Sequence, residues 1–300
     1  MGALDLVGTW DVDAAAVGVI RLGPGRDPSR PREAETIGVV GPETRSFPWA
    51  SVTKPVTALA VLVAVEEGTL SLDLPAGPPG STIRHLLSHA SGLAPDVAPG
   101  LGTSRPARLP EPGTRRIYSN AGYELLAEAV VEHSGMSFRD YVSAAVLEPL
   151  GMSATVFAPR PNQSIPASSG AAAGLAGPLR DLIALVDEWS VPTLIGSETH
   201  ALATAAAFPG LAGVVPGFGR FDPCDWGLGV EIRGQKQPHW TGALNSPGTF
   251  GHFGQSGSFF WVDPAAGLAC AGLADSPFGP WATTAWPTLS DALLTELGTQ

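Results

Sequence analysis

The sequence predicts an α/β (α+β) fold in which one sheet, built from both ends of the chain, is joined to a mostly helical middle part. Strand-like runs occur at residues 18–22 and 35–40, and they return between residues 226 and 274. The long helical patterns lie between these runs. This order favours a single sheet with a helical insertion. We expect residues 1–70 and 220–300 to form the sheet domain and residues 71–219 to form the insertion.

The first strands and the first long helix follow from local patterns. GVIRL and ETIGVV flank a Gly/Pro/Arg-rich turn at residues 23–32 and are predicted to pair as strands. From Val52 to Glu67 apolar residues recur at helical spacing, and Gly68 is placed to end the helix. Because Pro55 has no N–H to bond back towards Ser51, we expect a distorted first turn.

The rest of the chain is predicted to contain more helices and then more strands. Residues 74–117 are rich in Pro and Gly and are expected to be loops around one short helix, IRHLLSHASGL. Helices are predicted from Asn120 to His133, from Phe138 to Leu147, and over PLRDLIALVDEW. The strand-like runs WGLGVEIRG, GSFFWVDP and GLACAGLAD follow, and a helix from Leu289 to Leu297 is expected at the end.

Composition argues against several classes of partner. The formal net charge of -11 and the pI near 4.9 leave no basic surface for nucleic acid or for an acidic membrane. The longest apolar stretch, residues 58–65, is far too short to span a bilayer. MGALDLVGTWDVD has no basic region before an apolar run, so no secretion signal is predicted and a cytoplasmic location is expected. The pattern does not predict the oligomeric state.

No metal or cofactor is predicted. Cys224 and Cys270 form neither a metal spacing nor a disulfide framework, and reduced structural thiols are expected. His85 and His89 have an i, i+4 spacing, but no Glu follows His85 as a zinc protease would need. Packing or turn-stabilising roles are therefore favoured for both histidines.

The opening of the first long helix holds the first candidate for chemistry. Ser51 and Lys54 lie three positions apart, and helical geometry places them on one face. A desolvated lysine is able to take the serine proton, and the helix N-terminus favours a developing oxyanion. Of the seventeen basic residues only Lys54 and Lys236 are lysine, and arginine could not act as a base. The alternative is that Ser51 simply caps the helix.

A second candidate is the segment GTRRIYSNAGYELL. Tyr118 and Asn120 stand two apart at the start of a helix, and in an extended segment both side chains would point the same way. Tyr118 could relay a proton and Asn120 could hold a substrate carbonyl. Alternatively, Asn120 caps the helix and Tyr118 is a packed aromatic.

A third candidate is FGHFGQSGSFFWVDP, where glycines recur every third residue. Glycines such as Gly254 let a backbone pass close to a ligand at a strand edge, and His252 projects from the same segment. The backbone amide of Gln255 could pair with that of Ser51 as an oxyanion hole. The alternative is a Gly-rich turn that carries a surface histidine.

The three elements follow one another as Ser-x-x-Lys, Tyr-x-Asn and His-x-Gly. In this order they resemble the serine β-lactamase and penicillin-binding-protein superfamily, in its class C and esterase-like (family VIII-type carboxylesterase) branch. The resemblance spans nearly the whole chain, through SVTKPVTALAVLVAVEEGTLSLD, TIRHLLSHASGL, YSNAGYELLAEAVVEHSGMSFRDYVSAAVLEPLGM and GHFGQSGSFFWVDP. It implies a β-lactamase/transpeptidase-like fold with a mainly antiparallel sheet flanked by helices.

The resemblance also implies roles for the site residues. Ser51 would be the acylated nucleophile, Lys54 its proton partner, Tyr118 a group assisting proton transfer, and Asn120 a residue that positions the substrate. His252, Gly254 and Gln255 would also bind the substrate. Whether Lys54 or Tyr118 is the base stays open, because the two would titrate as a coupled pair.

One departure from the family pattern bears on the substrate. His252-Phe253-Gly254 stands where lactamases and peptidases of this type usually carry Lys-Thr-Gly. A histidine is mostly neutral at cell pH, so it offers no fixed cation for a substrate carboxylate. We expect a cofactor-free serine hydrolase that acts on small uncharged esters or amides, with esterase, β-lactamase-like or D-amino-acid peptidase-like activity. The alternatives are acyl transfer at the same site, or a binding protein that retains the fold without turnover.

Overall fold

The computed structural model describes residues 2–23, 34–94, 110–158 and 169–298. The turn expected at residues 23–32 lies outside the described residues except for residue 23. The middle of the loop region expected at 74–117 also lies outside them.

The described residues form eleven strands, most of them in one sheet. The strands are β1 (Ala15–Leu22), β2 (Ala34–Val40), β3 (Phe47–Pro48), β4 (Val156–Phe157), β5 (Leu175–Gly177), β6 (Gly213–Val215), β7 (Gly219–Phe221), β8 (Glu231–Ile232), β9 (Phe250–Gly254), β10 (Ser258–Asp263) and β11 (Leu268–Ala274). The main sheet has the order β2-β1-β11-β10-β9-β8, and every neighbouring pair in it is antiparallel. Strands from both ends of the chain therefore share the sheet.

Seven α-helices surround the sheets within the described residues. They are α1 (Thr53–Glu66), α2 (Ile83–Leu87), α3 (Asn120–Ser134), α4 (Phe138–Val142), α5 (Leu179–Ser190), α6 (Ser197–Ala203) and α7 (Pro280–Leu297). A π-helical turn, Ser143–Leu147, continues α4, and 3₁₀ segments cover Ala3–Thr9 and Ala50–Val52. The predicted helices at residues 52–67, 120–133, 138–147 and 178–189 are thus confirmed, the last with bounds of 179–190.

The two faces of the main sheet are covered by different helices. Along β1, Ala16 and Ile20 pack into the core cluster that includes α5, whereas Val17 and Val19 pack into the cluster that includes α7. This alternation is the period-2 pattern of a strand buried on both faces. Glycine at position 18 permits the close packing of α5, because a Cβ there would come within 2.7 Å of the Ile183 side chain. The expected mainly antiparallel sheet flanked by helices is confirmed.

The proposed split into a sheet domain and a helical insertion stays a prediction. Helix α5 lies inside the segment 71–219 that was expected to form the insertion, yet it packs directly on β1, β10 and β11. Part of that segment therefore belongs to the layer that covers the sheet.

Helix α1 is the buried centre of the molecule. It is apolar on nearly every face, and 11 of its 14 residues are buried. A helix that is hydrophobic all round is stable only when it is enclosed. The helix ends before Gly68, whose φ of +77° is the left-handed conformation that glycine adopts without strain. Its enclosure gives a rigid base for the residues at its N-terminus.

The last helix begins earlier than the sequence indicates. It was predicted over Leu289–Leu297, but α7 starts at Pro280 and contains Pro287. Proline is tolerated in the first turn of a helix but is unfavourable in its interior. The sequence pattern therefore predicts a helix only after Pro287. Packing of Trp286 and Leu289 in the core against the sheet stabilises the longer helix.

No helix in these described ranges combines the length and the apolar character that crossing a membrane requires.

Candidate active site

Ser51 lies in a tight turn between β3 and α1. The turn is 3₁₀, and Ala50 before it has a φ of +44°, so the predicted distortion at the start of the helix is confirmed. The hairpin between β9 and β10 holds this turn: Ser258 Oγ donates to the carbonyl of Trp49 at 2.7 Å, and Ser256 Oγ donates to that of Pro48 at 2.6 Å. The β9–β10 hairpin therefore fixes the position of the turn that carries Ser51.

Lys54 is fully buried and its amine makes three short polar contacts. Nζ lies 3.3 Å from Ser51 Oγ, 2.6 Å from Asn120 Oδ1 and 2.8 Å from the carbonyl oxygen of Ala172. The Asn120 and Ala172 oxygens can only accept hydrogen bonds. A neutral amine would give them its two hydrogens and turn its lone pair to the Ser51 hydroxyl, while an ammonium would donate to all three. The geometry thus accommodates both states of a proton transfer between Ser51 and Lys54.

The Tyr-x-Asn segment comes to the same point. Ser119, not Asn120, is the N-cap of α3, because its Oγ accepts from the amide of Gly122. The Asn120 side chain is therefore directed at Lys54, and the alternative in which it caps the helix is wrong. The Lys54 amine lies 4.7 Å from the centre of the Tyr118 ring, within the range of a cation–π contact. The structure brings Ser51, Lys54, Tyr118 and Asn120 together.

Strand β9 passes very close to the Ser51 turn. A Cβ added at Gly254 would meet the Trp49 carbonyl oxygen at 2.5 Å and the Ser51 amide nitrogen at 3.1 Å. Only glycine permits this approach without a shift of the backbone. Gln255 follows directly and lines the same pocket as Ser51. The pairing of their two amides as an oxyanion hole stays a prediction.

His252 is buried in β9 with 3% of its surface exposed, so the alternative of a surface histidine is wrong. Its Nδ1 lies 2.8 Å from the carbonyl oxygen of Phe253, and because a carbonyl only accepts, Nδ1 carries the hydrogen. Burial, with the nearby charge of Lys54, lowers the pKa of His252 to about 3. The ring is therefore neutral, and Nε2 carries a lone pair.

The pocket in front of Ser51 has a volume of about 370 Å³, part of which is open to solvent. It is lined by Ser51, Tyr118, Val215, Pro216, Trp226, Glu231, His252, Phe253 and Gln255. Four of the predicted site residues line it: Ser51, Tyr118, His252 and Gln255. A fifth, Gly254, packs on the turn that carries Ser51. Of the remaining lining residues, Val215, Pro216, Trp226 and Phe253 are apolar, as in most small-molecule sites, and Glu231 is charged.

Glu231 is a pocket residue that sequence reasoning missed. Its Oε1 lies 3.2 Å from Lys236 Nζ and 3.3 Å from His239 Nε2, and its Oε2 accepts from the Trp240 indole at 2.7 Å. Burial alone would raise its pKa, but Lys236 and His239 lower it to about 2. Glu231 is therefore ionised and paired. The available signal was a lone acid inside the apolar run WGLGVEIRG, five residues before the second lysine.

His89 is a second residue whose place was missed. Its ring packs on Tyr118 with centroids 4.4 Å apart, and its Nδ1 accepts from the backbone amide of Ser119 at 3.3 Å. Burial, Lys54, His252 and Arg116 all lower the pKa of His89 well below its usual value. The neutral ring thus supports the segment between Tyr118 and Asn120.

The described residues show no metal cluster. No group of three or more His, Cys, Asp or Glu side chains within them could hold an ion. His85 Nδ1 lies 2.9 Å from Thr82 Oγ1, which is the turn-stabilising contact expected for it. Both described cysteines are buried, and burial raises the pKa of Cys224 to about 11.

At this site a buried lysine amine lies beside a serine hydroxyl, an arrangement suited to a serine nucleophile. A family model described as Beta-lactamase matches residues 32–293. A solved structure of a β-lactamase from Mycobacterium bovis is 46% identical, with a TM-score of 0.86, and the match covers 99% of this chain and 100% of that one.

Two curated relatives match shorter regions. Penicillin-binding protein 4* of Bacillus subtilis is 34% identical over 134 residues, which are 36% of this chain and 30% of that protein. The D-alanyl-D-alanine-carboxypeptidase/endopeptidase AmpH of Escherichia coli is 30% identical over 144 residues, which are 38% and 37%. The matched region thus spans about a third of the length of these relatives.

This chain belongs to the β-lactamase family, and it is similar in part to a penicillin-binding protein and to a protein named as a D-alanyl-D-alanine carboxypeptidase. The β-lactamase/transpeptidase-like fold and the superfamily predicted from the three motifs are confirmed.

Proposed function

We propose that this protein is a serine hydrolase that acts through an acyl-enzyme on Ser51 and that its substrates are small, neutral esters or amides. The observation that carries the proposal is the position of the Lys54 amine, 3.3 Å from Ser51 Oγ and held by the Asn120 and Ala172 oxygens. A serine hydroxyl is a weak nucleophile unless a neighbouring base takes its proton. This contact supports Lys54, together with Tyr118, as the group that takes the proton.

Acylation would proceed in balanced steps. Ser51 Oγ attacks the substrate carbonyl carbon while its proton passes to the Lys54–Tyr118 pair. The resulting oxyanion lies at the backbone amides of Ser51 and Gln255, where oriented N–H groups stabilise it. The carbon–oxygen or carbon–nitrogen bond then breaks, and the departing group takes the proton back from the pair.

Deacylation repeats the sequence with water. The Lys54–Tyr118 pair takes a proton from the water as it attacks the ester of Ser51, and it returns that proton to Ser51 Oγ as the acid product leaves. Lys54 and Tyr118 act as one coupled unit in this proposal, because the amine lies over the phenol ring. No cofactor is required by these steps.

The preference for neutral substrates rests on the charges around the pocket. His252 is neutral, since burial and Lys54 lower its pKa to about 3. The cation of Lys236 is paired with Glu231 at 3.2 Å. A substrate carboxylate in the pocket would lose its hydration, and the described lining residues include no lysine or arginine to replace it. Binding of a carboxylate is therefore unfavourable. The Escherichia coli relative is named a carboxypeptidase and endopeptidase, so amide substrates are retained in the proposal beside esters.

The test is hydrolysis of a panel of aryl esters and anilides by the wild type and by Ser51→Ala. We expect Ser51→Ala to lose turnover by at least about 10³-fold, with its free energy of unfolding within about 1 kcal/mol of wild type. Ser153→Ala, at an exposed serine outside the pocket, is the matched control and should retain full activity. Retained turnover in Ser51→Ala would contradict the proposal. Adding an alcohol to the assay separates hydrolysis from acyl transfer by the products formed.

A further inference from the structure

The His252 ring offers a hydrogen-bond acceptor that the described protein does not use. Its Nδ1–H donates to the Phe253 carbonyl at 2.8 Å, so the neutral ring must leave Nε2 unprotonated. Nε2 is buried and has no hydrogen-bond partner among the described residues, although His252 is one of the residues that line the pocket in front of Ser51. Seven buried side-chain N or O atoms among the described residues lack a partner, and His252 Nε2 is the one that belongs to a residue lining this pocket.

The groups around the ring explain why no protein donor satisfies it. Tyr118 and Trp226 pack against the ring, with centroids 6.0 and 5.4 Å from its own. Glu231, on the neighbouring strand β8, is ionised and faces Lys236 and His239. The nearby cation, Lys54, is held by Asn120 and the Ala172 carbonyl. His89 Nε2, which is also buried, has no partner among the described residues either, so it does not donate to His252. A donor carried by a ligand would complete the site.

We infer that His252 Nε2 accepts a hydrogen bond from an N–H or O–H group on the acyl part of the substrate. The site would thereby select neutral esters or amides that carry a donor near the scissile carbonyl, such as N-acylamino or hydroxyacyl compounds. This inference rests on the proposed function, since it requires the acyl group to occupy the pocket beside Ser51.

The polarity of the site follows directly. A carboxylate or an ether oxygen at this place would meet the Nε2 lone pair, so two acceptors would face each other without a hydrogen. A purely apolar acyl chain would leave Nε2 unpaired, which carries a desolvation penalty. We expect a matched donor to be preferred by about 5- to 50-fold in kcat/KM, which is the range for pairing one buried polar group.

The experiment compares substrates that differ only in the donor. Aryl esters of a 2-hydroxy acid, a 3-hydroxy acid and an N-acetylamino acid are each paired with the O-methyl or N-methyl derivative, and kcat/KM is measured for both members. The wild type should favour the donor in at least one pair by 5-fold or more. His252→Phe keeps a buried ring without an acceptor and should reduce that ratio to within 2-fold. If this variant does not fold, His252→Met serves in its place, because methionine adapts to irregular space.

A third variant provides the converse. His252→Lys replaces the acceptor with a cationic donor, so it should lose the preference for the hydroxyl or amide N–H. It should also hydrolyse the aryl monoester of a dicarboxylic acid better than the wild type does.

The outcomes separate this inference from the proposed function. Equal rates within every pair for the wild type, or an unchanged preference in His252→Phe, would overturn the inference while hydrolysis itself stands. Failure to hydrolyse any ester, with no labelling of Ser51, would overturn the proposed function and the inference with it.

Discussion

The amine of Lys54 lies 2.6 Å from the side-chain oxygen of Asn120, across 66 positions of sequence. This contact joins the N-terminus of the central helix α1 to the N-terminus of α3. Because the same amine is 3.3 Å from Ser51 Oγ, the relative position of the two helices sets the direction of its remaining hydrogen or lone pair. The proposed proton transfer from Ser51 depends on this arrangement.

Replacing Lys54 with arginine tests the lysine as a base. Lys54→Arg retains a cation at the site but cannot lose its proton, so we expect kcat to fall by about 10²- to 10⁴-fold. Steady-state hydrolysis of the best ester, with thermal unfolding as the folding check, measures this. A folded Lys54→Arg enzyme with kcat within 5-fold of wild type would show that the lysine supplies only charge.

Adding one methyl group at Gly254 should disturb the turn that carries Ser51. The new Cβ in Gly254→Ala would press on the Trp49 carbonyl at 2.5 Å, so we expect a loss of about 1–3 kcal/mol of stability and a lower kcat. Gly8→Ala is the matched control, since nothing lies within 4 Å of a Cβ there. Denaturant unfolding and ester hydrolysis of both variants give the comparison. Equal behaviour of the two variants would argue against the close approach of β9.

The support that His89 gives to the Tyr-x-Asn segment is also testable. His89→Phe keeps a ring but leaves the Ser119 amide unpaired, which should cost about 1–3 kcal/mol and reduce kcat. In His89→Asn, Oδ1 occupies the place of Nδ1 and the residue tolerates the φ of +57°. The Asn variant should therefore keep more of kcat than the Phe variant. The reverse order would mean that ring packing on Tyr118, not the hydrogen bond, positions the segment.

The buried ion pair between Glu231 and Lys236 should make the free energy of unfolding depend on pH in the acid range. The pKa of Glu231 is lowered from 4.5 to about 2, so its ionised form stabilises the fold above the unfolded pKa. That stability is present above about pH 4.5 and is lost as the pH falls towards 2. Urea unfolding between pH 7 and pH 2 measures the slope.

Two variants separate this pair from other acids. Lys236→Met removes the lysine partner of Glu231, leaves the contacts with His239 and Trp240, and should cost about 3–5 kcal/mol at pH 7. Glu231→Gln combined with Lys236→Met removes both charges, so it should be more stable than the single variant and should lose part of the slope between pH 4.5 and 2. A double variant with the full slope would assign the acid sensitivity to other carboxyl groups.

The central features of the site could be predicted because they are local in sequence. The three-residue spacing of Ser51 and Lys54 on one helix face, and the short Tyr118-x-Asn120 segment, follow from helix and strand geometry. Helix α1 was predictable because its apolar composition matches its enclosed position.

Other features depend on contacts that no local pattern encodes. The carbonyl of Ala172, which accepts from Lys54 across 118 positions, is a backbone atom without a side-chain signal. The burial and the tautomer of His252 depend on how β9 packs against Trp226 and Tyr118. Pro287 concealed the start of α7, because a proline inside a helix opposes by local propensity a helix that tertiary packing stabilises.

The most direct test of Ser51 as the nucleophile is to find the residue that a serine-directed phosphonylating reagent modifies. The protein is treated with a fluorophosphonate, and intact mass and peptide mapping then locate the adduct. We predict one adduct on Ser51 in the wild type and a strongly reduced rate of labelling in Lys54→Arg. A folded protein that forms no adduct, or one that is modified at another residue while Ser51 stays free, would contradict the assignment of Ser51 as the nucleophile.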